Sequence, residues 1–464
     1  MNRRTALSVL PLTAAAFTLA ARRSSADAKT PFGVEYLMKV RDLLERIRAE
    51  SSDDMIEASH RIAETVKRGN RCYFEWDMGH GTEFDIWPNR PGMVSFMTYM
   101  VPPKLERGDL VLSDSWWDET QVKTFRDTGV FLIGGPRPWG GANIGSELII
   151  DQYRVRNLRP YADLWIDNFA TAYGPFMNLP GNSAPMAPVS GVVGMMTFWM
   201  MVSDAARILV EGGKTFEVLG DEPALSRAAA REGLSRPLGQ EYFETAVAQQ
   251  RVIEGAFDKV DGIARMAVHS VLTGGRVYVY SRHERNLCGE ATVRRGGLAL
   301  TNGVWGPPDK LVLMDDPLQE GLVDLTFKPT EKDTIIMGLS APDNPDDLSI
   351  LDRFKASGAS IAAIGPSTRN GVVPSGRTVP KEVEIHVGDM TDSYGIFALP
   401  GIARKIAPTS GLILNQIFWA TCCQIASQII ERTGNVPGVY LNGALKGGME
   451  RLDEVKRLLR ERGY

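Results

Sequence analysis

The feature that most constrains this chain is an internal repeat that covers most of its length. Residues 173–199 return in order as residues 394–419, with shared blocks of the form Tyr-Gly-x-Phe, Leu-Pro-Gly, Ala-Pro-x-Ser-Gly and Phe-Trp. Four shorter matches precede these blocks in the same order, and they pair residues 35–36 with 241–242, 69–74 with 274–279, 108–113 with 332–337 and 128–134 with 357–363. Such a repeat constrains the architecture, because each copy must fold as the same kind of unit.

Each copy opens with a helix and continues as short β-branched runs that alternate with helical stretches. This pattern is typical of a parallel sheet covered by helices on both faces. In the second copy the predicted strands are 276–280, 310–314, 334–339, 360–364 and 383–387. A closing helix at 412–430 is apolar on all sides, so we expect it to be buried between the copies. A charged amphipathic helix at 449–460 is expected to pack on the second copy.

The first 28 residues have the features of an export signal. Arg3 and Arg4 precede a weakly apolar stretch, and the small residues at 26 and 28 fit the pattern that signal peptidase recognises. The paired arginines favour a twin-arginine signal. We therefore expect an exported protein, periplasmic or extracellular, with no membrane span after cleavage. An uncleaved anchor is the alternative, which Pro11 disfavours.

The predicted domains follow from the signal and the repeat, and they are an export signal at 1–28, a first domain at 29–220, a linker at 221–240 and a second domain with its C-terminal helix at 241–464. The linker is rich in alanine, arginine, proline and glycine. Such a composition between two similar halves is typical of a connection that runs over the surface.

Charge and cysteine usage exclude several classes of function. With 52 basic and 56 acidic side chains the net charge is −4, so the chain has no excess positive charge to neutralise the phosphates of a nucleic acid. The four cysteines show no Cys-x-x-Cys spacing of a zinc or redox site. The glycines at 79 and 81 lack the third glycine of a dinucleotide loop. We predict no nucleic-acid partner, no metal and no cofactor.

Residues 77–82 form a glycine-rich turn around a histidine, Asp-Met-Gly-His-Gly-Thr, and Arg90 stands ten residues past the histidine. In the second copy residues 282–285 hold this place, and Glu290 and Arg294 follow them. These segments resemble the sugar isomerase (SIS) domain family, in particular its phosphoheptose-isomerase-like branch, where a Gly-x-Gly-His-Ser turn follows the first strand and a glutamate and an arginine come after it.

The resemblance covers residues 33–220 and 240–448, nearly the whole chain after the export signal. It implies an α/β protein with two SIS domains, each a flavodoxin-like five-stranded parallel sheet flanked by helices on both faces. It also implies ligand sites between the two copies or between subunits. Because many relatives are dimers or tetramers, we expect a homo-oligomer or a tandem chain that imitates a dimer.

Both loops that bind phosphate in this family depart from its Ser-x-Ser-Gly-x-Thr pattern. The resemblance places them at 113–118 and 340–345, where Ser113, Ser115 and Ser340 remain but indoles, prolines and carboxylates replace the glycine and other hydroxyls. Such a loop needs backbone N–H groups and hydroxyls around the anion, and a nearby carboxylate repels a phosphate. The loops therefore disfavour phosphate, and we expect these serines to contact a small-molecule sugar or sugar derivative.

Aldose–ketose isomerisation needs a base that moves a proton between neighbouring carbons and an acid that opens the sugar ring. The resemblance assigns the base to Glu290, and His283 is the candidate acid. In the structural alternatives, Glu290 is solvated or paired with Arg294 four residues later. His283 is then a residue of a charged surface loop.

Other residues are candidates for sugar binding. His80 and Glu83 occupy the related turn of the first copy, where they form a second site, contribute to a shared one or are a relic. Arg294 is a further candidate by resemblance. Thr409 and Ser410 begin the closing helix, and either helix capping or a contact to the ligand explains them.

The sequence thus predicts a carbohydrate-acting protein, either a sugar isomerase or a related lyase that transfers a proton. The alternative is a non-catalytic sugar-binding protein on the same scaffold.

Overall fold

The computed structural model describes most of the chain after residue 29. The described residues are 30–76, 90–99, 104–114, 119–136, 158–169, 175–182, 185–220, 236–292, 296–313, 327–369, 371–388, 395–441 and 447–464. Phe32–Tyr464 forms one compact unit, so both copies of the repeat belong to the same body. The export signal lies outside the described residues, and its presence and type stay predictions.

The first copy contains three helices and seven strands among its described residues. They are α1 (Phe32–Lys67), β1 (Cys72–Glu75), β2 (Met97–Tyr99), β3 (Leu110–Ser113), α2 (Glu119–Thr128), β4 (Phe131–Gly134), β5 (Leu164–Trp165), β6 (Pro175–Met177), β7 (Met186–Pro188) and α3 (Ser190–Glu211). Strands β2-β1-β3-β4-β5 form one parallel sheet in that order, and β6 and β7 form a separate antiparallel pair.

The second copy repeats this order of elements. It comprises α4 (Leu238–Gly255), α5 (Phe257–Leu272), β8 (Val277–Tyr280), α6 (Arg285–Glu290), β9 (Thr301–Trp305), β10 (Val312–Leu313), β11 (Thr334–Gly338), α7 (Pro345–Ala356), β12 (Ser360–Ile364), α8 (Val379–Glu382), β13 (Ile385–Val387), α9 (Ser410–Thr433) and α10 (Gly448–Arg462). Its sheet has the order β10-β9-β8-β11-β12-β13. Apart from β10, all strands run parallel.

Each parallel sheet has the chain order 2-1-3-4-5 that characterises flavodoxin-like folds. The predicted fold class, α/β with two such sheets, is therefore confirmed. One strand prediction was wrong. The second parallel strand is Thr301–Trp305, whereas Val312–Leu313, within the predicted run at 310–314, pairs antiparallel at the sheet edge. Gly303 obscured the true strand because glycine has a low β propensity. The close approach of the Cys288 backbone carbonyl requires a glycine there.

A buried aspartate fixes the strand entrances in the same way in both sheets. The Asp109 carboxylate accepts hydrogen bonds from the backbone N–H groups of Arg71 (3.0 Å) and Glu106 (2.9 Å). The Asp333 carboxylate accepts the equivalent bonds from the backbone N–H groups of Arg276 (2.8 Å) and Thr330 (2.7 Å), which precede β8 and β11. The repeat seen in the sequence is thus a repeat of hydrogen bonds that hold the central strand pair.

Each copy uses a tyrosine to hold the turn that precedes its central helix. The Tyr36 hydroxyl donates to the Pro188 carbonyl (3.2 Å), and the Tyr242 hydroxyl donates to the Pro408 carbonyl (2.9 Å). The alanine before each of these prolines has a positive φ, 56° and 58°, a conformation that is costly for a residue with a Cβ atom. Equivalent tyrosines therefore hold equivalent strained turns, just before α3 and α9 begin.

Helix α9 lies at the centre of the molecule and packs against α1, α3, α4 and α5. This confirms that the apolar closing helix is buried between the copies. Among the described helices, α3 alone is long and apolar enough to cross a membrane, and 89% of that stretch is buried in the protein core. At the C-terminus α10 buries Val455 against the segment that carries Gly438, so it packs on the second copy as predicted.

Candidate functional site

Polar side chains converge at the carboxyl edge of the second sheet, where β8 and β11 end side by side. Ser281, directly after β8, donates a hydrogen bond through its hydroxyl to the Gly338 carbonyl at the end of β11 (2.7 Å). The same hydroxyl accepts from the backbone N–H of Glu284 (3.1 Å). Ser281 therefore fixes the loop that carries His283 and Glu284 at the edge where α/β sheets bind ligands.

A buried ion pair joins the two copies at this edge. Arg90 of the first copy contacts Glu284 of the second through Nη1 and Oε1 at 2.8 Å, with side-chain exposures of 2% and 0%. Its Nη2 donates to the Ser410 hydroxyl at the start of α9 (2.9 Å). A buried charge pair of this kind needs further hydrogen bonds to offset the loss of hydration. Arg90 has such a bond to Ser410, so the edge is assembled from both copies.

His283 lies against the start of α7. Asn344 caps this helix, and its Oδ1 accepts from the backbone N–H groups of Asp346 (2.9 Å) and Asp347 (3.4 Å). The amide Nδ2 is then the atom that faces His283 Nε2 at 3.3 Å. Because Nδ2 only donates, this contact is a hydrogen bond when His283 Nε2 is the acceptor, with a ring proton on Nδ1. The helix cap thus favours that tautomer of His283.

The carboxylates of the loop after β11 are paired with arginines. Arg369 contacts Asp343 (2.9 Å), and Arg282 contacts Asp346 (2.9 Å). These cations offset the negative charge of the two aspartates, which would otherwise repel a phosphate. Ser340, in the same loop, is buried, and its hydroxyl has no hydrogen-bond partner in the described part of the chain. The hydroxyl is a donor and acceptor that the described fold leaves unused.

The burial of the predicted base, Glu290, decides between its structural alternatives. Glu290 is the last residue of α6 and is buried, so the solvated alternative is wrong. Burial raises the pKa of the Tyr36 hydroxyl on α1, and the charges of Cys423 and Glu290 raise that pKa further. Glu290 therefore lies within electrostatic range of Tyr36 in the first copy.

The helix-capping interpretation of Thr409 and Ser410 was wrong. Thr409 occupies the N-cap position of α9, but its side chain makes no capping hydrogen bond. The Ser410 hydroxyl instead accepts a hydrogen bond from the guanidinium of Arg90. Both residues are buried, which places them behind the edge rather than in contact with solvent.

Several predicted site residues lie outside the described residues. His80, Glu83, Ser115 and Arg294 belong to this group, so their roles stay predictions. Ser113 is described, as the buried last residue of β3 at the carboxyl edge of the first sheet. Among the described residues, no group of three or more histidine, cysteine or acidic side chains could hold a metal ion.

Sequence reasoning missed three residues that organise this edge, namely Ser281, Glu284 and Asn344. Glu284 stands between basic residues, and a run of charged residues is usually a solvated loop. The signal for Asn344 was present, because an asparagine followed by proline is typical of a helix N-cap with proline at the first helical position. A matching signal for Glu284 was the isolated Arg90, which needs a partner if it is buried.

Comparison with known proteins gives a likeness of overall form only. No protein-family model and no curated protein matches the sequence. Solved structures that the chain resembles include the C-terminal domain of glucosamine-fructose-6-phosphate aminotransferase from Francisella tularensis, with a TM-score of 0.44, 11% identity and coverage of 89% of this chain and 99% of the other. For a tagatose-6-phosphate ketose/aldose isomerase from Escherichia coli, the TM-score is 0.42 and the sequence identity is 10%. The match covers 89% of this chain and 96% of the other. TM-scores below 0.5 do not establish a family for this chain.

Proposed function

We propose that this chain is a SIS-domain protein that binds a sugar or sugar derivative at the carboxyl edge of its second sheet. The proposed chemistry is proton transfer, as in an aldose–ketose isomerase or a related lyase. The observation that carries the proposal is the buried contact of Arg90 with Glu284 and Ser410 beside the His283–Asn344 pair. The tandem 2-1-3-4-5 sheets support the scaffold, and the residue pattern supports the family and its phosphoheptose-isomerase-like branch.

Each residue of this edge has a distinct role in the proposed chemistry. His283, oriented by its contact with Asn344, is the group that accepts or returns a proton. Arg90 supplies fixed positive charge where an enediolate develops. Glu284 and Ser410 orient the guanidinium of Arg90.

A non-catalytic sugar-binding protein is the second candidate. It is favoured by the near-complete burial of the Arg90 and Glu284 side chains, which are 2% and 0% exposed. Such a pair touches a ligand only if the surrounding loops open. In this case the pair holds the two copies together, and the surrounding loops supply the sugar contacts.

The test is a thermal-shift screen of the chain from Lys29 onward with neutral sugars, sugar acids and sugar phosphates, because a ligand of the native state raises the melting temperature by mass action. A shift that is lost in His283→Gln and kept in His60→Gln, an exposed control on α1, supports the proposed edge. Conversion of the bound sugar by wild type and not by His283→Gln supports an enzyme. A shift that both variants keep contradicts the proposed site.

We further propose that the protein is exported by a twin-arginine signal, as its N-terminal sequence indicates. Export of the full chain fused to a reporter, compared with an Arg3→Lys/Arg4→Lys variant, tests this directly. Export that is unaffected by the double substitution contradicts the twin-arginine type.

A further inference from the structure

Asp347, in the first turn of α7, is a buried carboxyl group that the fold does not pair. Its side chain is 1% exposed, and neither carboxyl oxygen has a hydrogen-bond partner among the described residues. The backbone N–H of Asp347 is held by the Asn344 cap. Asp347 is therefore bound to the same Asn344 side chain that contacts His283.

A second unpartnered polar group lies near Asp347. Tyr280 ends β8, its hydroxyl has no hydrogen-bond partner in the described ranges, and burial together with the charge of Asp347 raises the pKa of this hydroxyl. An unpaired negative charge in such surroundings is costly. Burial accordingly raises the pKa of Asp347 to about 7, against the opposing effect of Arg282 and with a further contribution from Asp346.

The charged groups around α7 leave one cation for Asp347. Arg282, in the loop after β8, acts on Asp347 and forms an ion pair with Asp346 at 2.9 Å, with the two side chains 33% and 44% exposed. Arg369 pairs with Asp343 before the helix. At the far end of α7, a separate group of charges pairs within itself, comprising Lys355, Arg377, Asp352 and Glu382.

We propose that the first turn of α7 is a pH-dependent charge switch, in which Asp347 becomes charged as the pH rises and then draws Arg282 away from Asp346. The loop that carries Arg282 also carries His283 and Glu284, so the switch regulates the proposed sugar site. This regulation rests on the proposed function, whereas the switch itself does not.

The sign of the effect follows from linkage. The folded-state pKa of Asp347 lies above its value of 3.8 in an unfolded chain, so the native state holds the extra proton between these two values. The contribution of neutral Asp347 to stability is complete below the unfolded pKa, and it is lost as the pH rises toward 7. Between pH 5 and pH 8 the folding equilibrium constant should fall by up to about a hundredfold through this residue.

The experiment compares unfolding of the full chain at pH 5 to pH 8 for wild type, Asp347→Asn and Asp352→Asn. We expect the melting temperature of wild type to fall relative to Asp347→Asn as the pH rises, with no further divergence well above pH 7. Asp352→Asn changes the same helix, but hydrogen bonds from Arg377 hold the pKa of Asp352 below its usual range. Its difference from wild type should therefore not change with pH. A constant difference for Asp347→Asn overturns the switch.

The role of Arg282 has its own variant. Arg282→Gln removes the cation that favours ionised Asp347, so the pH at which the difference between wild type and Asp347→Asn levels off should move upward when both carry this change. An unchanged transition overturns the part played by Arg282. The sugar found by the thermal-shift screen should bind wild type with a pH dependence that Asp347→Asn lacks. A stability transition without any bound sugar contradicts the proposed function and leaves the switch supported.

Discussion

The two copies of the repeat share their framework and differ around it. Both have the 2-1-3-4-5 sheet, the entrance aspartate and the tyrosine that holds a strained alanine-proline turn. They differ in their first helix, which is continuous in the first copy and is divided at Ala256 in the second. The framework is therefore what folding requires of each copy, and the departures are where each copy is free to specialise.

The clearest departure lies beside two equivalent glycines. Gly33 and Gly239 each stand three residues before the shared tyrosine. Gly33 lies against the carbonyl of Ala420 in α9, and Gly239 lies against the carbonyl of Met200 in α3. The ring of Phe257 lies against Gly33. At Gly239 the structure instead has a half-open cavity of about 290 Å³ between α1, α3 and α4. One copy fills this place with an aromatic ring, and the other leaves it open.

The largest expected effect concerns the one ion pair that links the copies with both side chains wholly buried, within the described part of the chain. Arg90→Met leaves the Glu284 carboxylate buried without its cation, which should lower the free energy of unfolding by about 3–5 kcal/mol. Urea denaturation measures this loss in the free energy of unfolding. The control is Arg41→Met, which breaks a partly exposed pair between α1 and α4, with side chains 24% and 23% exposed, and should cost about 1 kcal/mol or less. Equal losses for the two variants contradict the special status of the Arg90 contact.

Phe257→Ala makes the second copy resemble the first by opening the equivalent space. Because Phe257 is only partly buried, the expected loss is about 2–3 kcal/mol, below that of a fully buried phenylalanine. The comparison is Ser52→Ala in the first copy, where a change within ~0.5 kcal/mol is expected. Calorimetry of both variants decides whether the ring stabilises its copy, and a neutral Phe257→Ala would show that it does not.

The two glycines should respond alike. A Cβ atom at residue 33 would lie 2.5 Å from the Ala420 carbonyl oxygen, and one at residue 239 would lie 2.6 Å from that of Met200. We expect Gly33→Ala and Gly239→Ala each to destabilise by about 2 kcal/mol through overpacking. Gly255→Ala is the matched control, because its Cβ meets nothing within 4 Å. Tolerance at only one of the two glycines would break the equivalence of the copies.

The smallest expected effects are those of the two tyrosine hydroxyls. Tyr36→Phe and Tyr242→Phe each remove one hydrogen bond to a proline carbonyl, at a cost of about 1 kcal/mol. The two variants should agree within ~0.5 kcal/mol in urea denaturation. A silent substitution in either copy would mean that the turn before that central helix is held by other contacts.

Sequence periodicity and repetition predicted the fold well, since four of the five strands predicted in the second copy coincide with observed parallel strands. The exception is the run at 310–314, which contains the antiparallel edge strand β10. The parallel strand that was missed is β9, whose glycine serves tertiary packing against α6 rather than strand propensity. The site was predicted less well. His283 and Ser410 do lie at one edge, but the glutamate that meets Arg90 there is Glu284, which the sequence did not single out. The role of Glu290 stays a prediction.

The sequence by itself determined the two-copy α/β architecture, because strand alternation, helix periodicity and repeated turn residues are local properties of the chain. Only the tertiary structure decided which charged residues are buried, since Arg90 and Glu284 are far apart in the chain and meet through the packing of one copy on the other. The same holds for Asp347, an acidic residue in an ordinary first helical turn, which loses its solvent only when β8 and α7 come together.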